Sequence, residues 1–356
     1  MDITLHIGAH RNATTTLQLF LERNRPTLRR SGIEVWTPER TRAGLFAGLI
    51  ERPEDLSEQM KRRGARSCGV IAIEVQVLAR AGQTQLLISE ENLIGSVRNN
   101  LRQARLYPAA ADRLQRFAGC FGAGPRRIGL SIRSYDSFWA SSIAFGLGQG
   151  LRMPLGPALD HYVTQSRRWR DLIIEVAAVF PRAEIIVWPF ERLAGQPERQ
   201  LALLTGNRPL ILPLTGARER TNISPHSGEL RQIVAARGGS ARGDAALCQT
   251  LQDSRDGRWM PFDPAQRAAL RAQYDADLHW LRQGADGLAR LIDPAGAVGS
   301  DGHGSAAADW AAQEALTALE TGPDGRMPEG RISGPVMTTK GWDFGRDGAT
   351  GQGAVA

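Results

Sequence analysis

Residues 5–21 hold the densest run of chemically capable groups in the chain: Leu5-His6-Ile7-Gly8-Ala9-His10-Arg11-Asn12-Ala13-Thr14-Thr15-Thr16-Leu17-Gln18-Leu19-Phe20-Leu21. An apolar run at Ile3, Leu5 and Ile7 predicts a buried parallel strand, and Leu17, Phe20 and Leu21 recur at helical spacing. A strand, a small-residue loop and a helix in that order aim backbone N–H groups and the positive end of a helix dipole at one point. Such a point binds anions, phosphate above all. Arg11 adds a guanidinium, and Thr14, Thr15 and Thr16 add hydroxyl donors. Two further strand ends carry suitable groups. Arg127–Arg133 reads as a strand closing on a guanidinium, which grips phosphate through paired, charge-assisted hydrogen bonds. Gln85–Ile88 reads as a strand followed by Ser89, Glu90, Glu91 and Asn92. Strand ends are where ligands of open parallel sheets bind, and a carboxylate there is placed to accept a proton.

The loop departs from the nucleotide-hydrolysing pattern G-x-x-x-x-G-K-[ST]. Aligned from Gly8, Ala13 falls at the second glycine and Thr14 where the lysine must stand. An ATP or GTP site of that kind would lack its main neutralising side chain. Arg11-Asn12-Ala13-Thr14-Thr15 instead resembles the 5′-phosphosulfate loop of the sulfotransferase family, whose pattern is a basic residue, a small polar residue, Gly, Thr, Thr. The flanks His6–His10 and Thr16–Gln18 are similar to the bacterial branch of that family, and Trp188–Leu193 is similar to a further segment of it.

That resemblance implies an α/β, P-loop-like three-layer fold with a central parallel sheet flanked by helices. It implies transfer of a sulfuryl group from 3′-phosphoadenylyl sulfate (PAPS) to a hydroxyl or amine, with 3′-phosphoadenosine 5′-phosphate (PAP) as product and no metal. Arg11, Asn12, Ala13, Thr14, Thr15 and Thr16 would then hold the 5′-phosphosulfate, and Arg11 would also stabilise the departing phosphate. Arg133 and Ser141, eight positions apart, would hold the 3′-phosphate. Arg218 or Arg220, in a late basic segment, would close the nucleotide site. Ser89, Glu91 and Asn92 match a Ser-x-Glu-Asn-like segment of bacterial relatives, which makes Glu91 the expected general base and Glu90 the second choice. Two departures bear on activity. Arg11 stands where the family has lysine, and Ala13 where it has glycine; if that position needs a positive φ, alanine costs on the order of 1 kcal/mol.

Each of these residues has a structural alternative. A threonine-rich turn before a helix is often only a cap, Arg133 a strand-end arginine, and Ser141 an ordinary helix residue. Glu90 and Glu91 gain from a helix dipole alone. His10 reads as a packing or hydrogen-bonding residue, Glu191 as a turn and ion-pair residue, and Arg218 or Arg220 equally as surface salt-bridge partners.

Composition narrows the classes. The chain has 356 residues and a net charge of +7, enough length for one large domain with a small appendage. Lysine occurs only at Lys61 and Lys340, and no basic block is interleaved with aromatics, so a nucleic-acid partner is not expected. The three cysteines, Cys68, Cys120 and Cys248, follow no CxxC rhythm and leave an odd one over, which predicts a reducing compartment without a disulfide framework or zinc site. No apolar run approaches a membrane span, so a cytoplasmic protein with no membrane span is expected. The acceptor would be a small molecule, lipid or saccharide.

The elements that position these groups alternate as in a parallel α/β fold. Helices are predicted to about Arg23 and over Arg25–Arg30, with a strand at Ile33–Trp36. Residues 37–65 read as charged and irregular. A helix over Gly69–Ala81 follows, then the Glu91 strand and an amphipathic helix over Leu101–Phe117. After the Arg133 strand, Ser134 reads as the N-cap of a helix, Gly146–Pro157 as a mobile loop, His161–Phe180 as a long helix and Glu184–Trp188 as a strand. Residues 207–228 are loop-rich, and helices near Pro225–Ala236 and Pro264–Gln283 complete a domain over residues 1–290. Residues 291–356 read as a glycine-rich, partly disordered tail, with a helix at Ala306–Leu319 and docking aromatics Trp342 and Phe344. Besides sulfuryl transfer, the sequence leaves open a non-catalytic nucleotide-binding protein on the same fold and a nucleotide or small-molecule kinase.

Overall fold

The strands of this chain are buried along most of their length on both sides, as parallel strands covered by helices on two faces are. Six of them, β1 Asp2–His6, β2 Ile33–Trp36, β3 Gln85–Ser89, β4 Arg127–Ile132, β5 Glu184–Pro189 and β6 Arg290–Leu291, form one sheet in the order β2-β3-β1-β4-β5-β6. Every pair is parallel. The computed structural model describes residues 1–151, 154, 157–207, 210, 213–217, 228, 230, 232 and 259–293. Arg218, Arg220, most of the helix expected near Pro225–Ala236 (all but residues 228, 230 and 232) and the tail from residue 294 lie outside the described residues.

The helices are α1 Thr14–Arg23, α2 Arg25–Arg30, α3 Pro38–Arg40, α4 Glu58–Arg80, α5 Val97–Gln103, α6 Ala110–Ala118, α7 Tyr135–Gly148, α8 Pro157–Thr164, α9 Trp169–Val179, α10 Phe190–Leu193, α11 Pro197–Thr205 and α12 Pro264–Arg282. Alternate strand residues face opposite layers. Val35, Leu87, Ile186 and Trp188 pack with Leu17, Phe20 and Leu21 of α1, Leu28 of α2 and Leu201 and Leu204 of α11. Leu5, Leu86, Ile128, Leu130 and Val187 pack with residues of α6, α7, α9 and α12. This bears out the expected α/β class with a central parallel sheet between helical layers. The chain runs from β1 to β2 and β3 on one side and to β4, β5 and β6 on the other. The order therefore reverses at β1, and the carboxyl ends of β3, β1 and β4 frame the crevice where such sheets bind ligands.

Several boundaries differ from the sequence reading. The irregular 37–65 stretch holds α3, a π turn over Thr41–Leu45, a 3₁₀ turn over Pro53–Asp55 and the first turns of α4. That helix begins at Glu58 rather than near Gly69, because Ser57 caps it by accepting the Met60 N–H at 3.2 Å. The single helix expected over 101–117 is two, α5 and α6, since Ala104 and Tyr107 have positive φ and Pro108 cannot continue a helix. The long helix over 161–180 is likewise α8 and α9, broken at extended Arg168, whose N–H is capped by Asp171 at 2.7 Å. Helix α7 runs to Gly148, so the loop begins after it. No described helix is long and apolar enough to cross a membrane.

The cysteine expectation is corrected outright. Cys68 of α4 and Cys120, just beyond α6, form a disulfide with Cα atoms 4.6 Å apart across 52 residues of sequence. Tertiary packing brings the pair together where no local spacing announces it, and the inference of a reducing compartment loses that support. Closing a loop of this length restricts the unfolded chain. Cys68→Ser is therefore expected to lower unfolding free energy by about 2–4 kcal/mol in denaturant titration, with the same loss in the wild type under reductant.

Candidate anion-binding site

The loop after β1 does not leave the sheet at once. Ile7 N–H donates to Gly129 O at 3.0 Å, Ser131 N–H to Gly8 O at 2.7 Å and Ala9 N–H to Ser131 O at 3.1 Å, so pairing with β4 continues beyond the strand. Asn12 Nδ2 adds a bond to Ser131 O at 2.7 Å. The loop then turns into α1 through two left-handed residues, Arg11 at φ 62° and Ala13 at φ 57°. Ala13 O receives the N–H of Thr16 at 3.1 Å and of Leu17 at 3.3 Å. Thr16 N–H is thereby committed inside the helix. Asn12 is 2% exposed with its amide turned to β4, so its side chain braces the loop.

Arg133 ends β4 two residues beyond Ser131 and closes the same turn. Its Nη1 donates to Arg11 O at 2.7 Å, its Nε to Ser137 Oγ at 2.9 Å, and its guanidinium lies 4.5 Å from the Phe190 ring centroid. Arg11 in turn donates from Nε to Ser141 Oγ at 3.1 Å and sits 5.2 Å from the Phe145 ring. Arg11, Arg133 and Ser141 therefore meet in one cluster against the first turns of α7. The hydroxyl held by Arg133 is that of Ser137, which sequence spacing did not single out; it lies one helical turn before Ser141. Burial lowers the Arg11 pKa, which leaves the guanidinium charged. Ser134 occupies the N-cap of α7 as expected, but its hydroxyl donates to Asp136 Oδ1 at 2.6 Å instead of capping the helix.

At the end of β3, Glu90 and Glu91 have separate fates. Glu90 is fully buried. Oε2 accepts from Thr41 Oγ1 at 2.5 Å and Arg42 Nε at 3.1 Å, while Oε1 accepts from Arg42 Nη2 at 2.7 Å and Asn92 N–H at 3.0 Å. Its oxygens are committed to structure, and burial with the charge of Glu91 raises its pKa. Glu91 accepts from Gln18 Nε2 of α1 at 2.7 Å and from Arg42 Nη2 at 2.8 Å. Burial pushes its pKa up, but charge at His10 and Arg42 and the Gln18 hydrogen bond outweigh that and hold it low. Gly8 makes this proximity possible: its φ is +106°, and a Cβ there would stand 3.0 Å from the Glu91 Cβ. Arg42, from the stretch read as irregular, is a site residue that no motif revealed.

The histidines serve as cross-links. His10 N–H donates to Tyr107 Oη at 2.9 Å, which leaves the phenol proton for His10 Nδ1 at 3.1 Å and the Nε2 proton for Asn92 Oδ1 at 3.2 Å. His6 Nδ1 bonds Ser89 Oγ at 2.8 Å across the β1–β3 register. Glu191 accepts from Ser134 N–H at 3.1 Å and Tyr274 Oη at 3.1 Å, a structural role. Among the described residues no group of three or more His, Cys, Asp or Glu side chains is arranged to hold a metal ion.

No family model and no curated relative matches the chain. A solved sulfotransferase from Alicyclobacillus acidocaldarius is similar to it at 15% identity, over 70% of this chain and 96% of that one. The TM-score of 0.34 is too low to bear on fold or chemistry.

Two outcomes follow from this geometry. Ala13→Gly removes a left-handed alanine, so it is expected to raise unfolding free energy by about 1 kcal/mol, read as a higher denaturation midpoint. Burial lowers the pKa of both His6 and His10 to about 4, whereas in the unfolded chain they titrate near 6.5. Between those values the unfolded chain takes up protons that the folded one refuses, so their contribution to stability falls as pH drops from 6.5 to 4. The difference between wild-type and His10→Gln unfolding curves across that range is expected to carry this slope; parallel curves would remove His10 from the account.

Proposed function

We propose that the chain transfers a sulfuryl group from PAPS to a hydroxyl or amine of an acceptor molecule. The observation that carries this reading is the junction of two arginines from distant segments, Arg11 on the loop and Arg133 at the end of β4, with the N-terminus of α1 beside them. A nucleotide with phosphates on both the 5′ and 3′ positions needs two cationic groups, and the meeting of two arginines at this junction supports that reading. A nucleotide-hydrolysing site would instead centre on a loop lysine, which is missing here.

In this reading the loop backbone, Thr14 and Thr15 bind the 5′-phosphosulfate. Arg11 neutralises charge developing on the 5′-phosphate as the sulfur–oxygen bond to it breaks. Arg133 and Ser141, with Ser137 beside them, hold the 3′-phosphate and so fix the nucleotide's register; Arg220 is a further candidate for closing the site. Glu91 takes the proton of the acceptor O–H or N–H as the acceptor atom bonds to sulfur, and PAP leaves. Its low pKa keeps it ionised at neutral pH, ready to accept that proton. Glu90, saturated with hydrogen bonds, is not a candidate.

Titration calorimetry with adenosine 3′,5′-bisphosphate tests the binding half. Arg133→Ala is expected to weaken binding about 10- to 100-fold, the worth of a charge-assisted contact. Transfer of labelled sulfate from PAPS to a metabolite extract tests the chemistry. Glu91→Gln is expected to bind the bisphosphate normally and transfer nothing; unaltered transfer by this variant would remove Glu91 as base. Binding without transfer by the wild type across a broad acceptor set would leave a nucleotide-binding protein. Stabilisation by ATP and magnesium alone would favour a kinase.

A further inference from the structure

Helix α12 lies far along the sequence from the anion-binding loop, yet one line of its residues holds the segment that presents Arg133. Arg271 Nε donates to Asp136 Oδ2 at 2.8 Å. Tyr274 Oη donates to Glu191 Oε2 at 3.1 Å, and the other oxygen of Glu191 accepts the Ser134 N–H at 3.1 Å. Asp277 Oδ2 accepts from Tyr135 Oη at 2.5 Å, and that phenol accepts the Trp169 N–H at 2.5 Å. Residues 134, 135 and 136 are thus each tied to α12, one of them through Glu191. Tyr135, Asp136, Tyr274 and Asp277 are all buried, where hydrogen bonds are electrostatically stronger than in water.

The same anchor reaches Arg133 from two other sides. The Trp169 indole N–H donates to Arg133 O at 2.9 Å, and Phe190, the neighbour of Glu191, lies against the guanidinium. Ser137 and Ser141 project from the turns of α7 that follow residue 136. Any rotation of α7 would move both hydroxyls relative to the two arginines.

We propose that Arg271, Tyr274 and Asp277 are positioning residues of the Arg133 anion site. They fix residues 134–136, and with them the direction of the Arg133 guanidinium and the rotation of α7 that offers Ser137 and Ser141. This rests on the reading that Arg133 meets a nucleotide 3′-phosphate.

The test compares the affinity of the full chain for adenosine 3′,5′-bisphosphate and for adenosine 5′-monophosphate, which lacks the 3′-phosphate, with thermal unfolding measured alongside. The wild type is expected to prefer the bisphosphate. Tyr274→Phe and Arg271→Ala are each expected to cut that preference about five-fold, the worth of one hydrogen bond, with monophosphate affinity falling by less than bisphosphate affinity. Asp277→Ala should cut it further, and Asp277→Asn, which keeps an acceptor for Tyr135, should restore most of it. Should Asp277→Ala fail to fold, Tyr274→Phe and Arg271→Ala decide the matter. Folded variants that keep the full preference, or that weaken both ligands equally, would overturn the proposal. A wild type without any preference for the bisphosphate overturns the reading of Arg133 itself, a result visible before any variant is made.

Discussion

The continued pairing of the post-β1 loop with β4 is the constraint on which the site depends. Once Gly8 and Ala9 are zipped to Ser131 and Asn12 is bonded to the same residue, the chain has few ways to reach the first turn of α1. It takes them through left-handed Arg11 and Ala13. That turn points the Arg11 carbonyl at the end of β4, where Arg133 caps it. The arginine thus serves the loop before it serves any ligand: it holds the carbonyl of a turn whose amides a ligand would need. A buried guanidinium with a carbonyl, a hydroxyl and an aromatic face around it is oriented in advance, which lowers the entropy lost on binding an anion.

On the other side of β1 the balance is one of charge. Two adjacent buried carboxylates, Glu90 and Glu91, would repel each other strongly without a cation between them. Arg42 bridges both, and Thr41, Gln18 and the Asn92 N–H take up further oxygen positions. Glu90 absorbs most of these bonds and becomes part of the frame. Glu91 is left nearer the loop, against Gly8 and within reach of α1. One strand end therefore carries two carboxylates with different surroundings, distinguished by which neighbours each can reach.

Much of this was legible in the chain itself. The β1-loop-α1 pattern, the short strand at Ile33–Trp36 and the small helix at Arg25–Arg30 stand where local periodicity puts them, and the strands expected over Gln85–Ile88 and Arg127–Arg133 end within one residue of those bounds, because buried parallel strands and capped helices leave strong local signals. The long-helix expectations failed at Pro108 and Arg168, where a turn interrupts an apolar pattern that continues on its far side. Helix α4 was missed for its first eleven residues because a basic stretch without apolar spacing hides a helix that needs only a cap and one buried side.

By itself, the sequence determined the class of fold, the place of the loop between β1 and α1 and the identity of the arginine and carboxylate at the neighbouring strand ends. These are properties of runs of a few residues, governed by backbone geometry and side-chain period. The tertiary structure alone decided that Arg133 holds Arg11, that Ser137 is its hydroxyl partner, that Arg42 separates Glu90 from Glu91, that Cys68 meets Cys120 and that α12 grips the turn before α7. Each joins segments brought together by packing, and the choice among many polar partners is made by which atoms lie within about 3 Å once the core has closed.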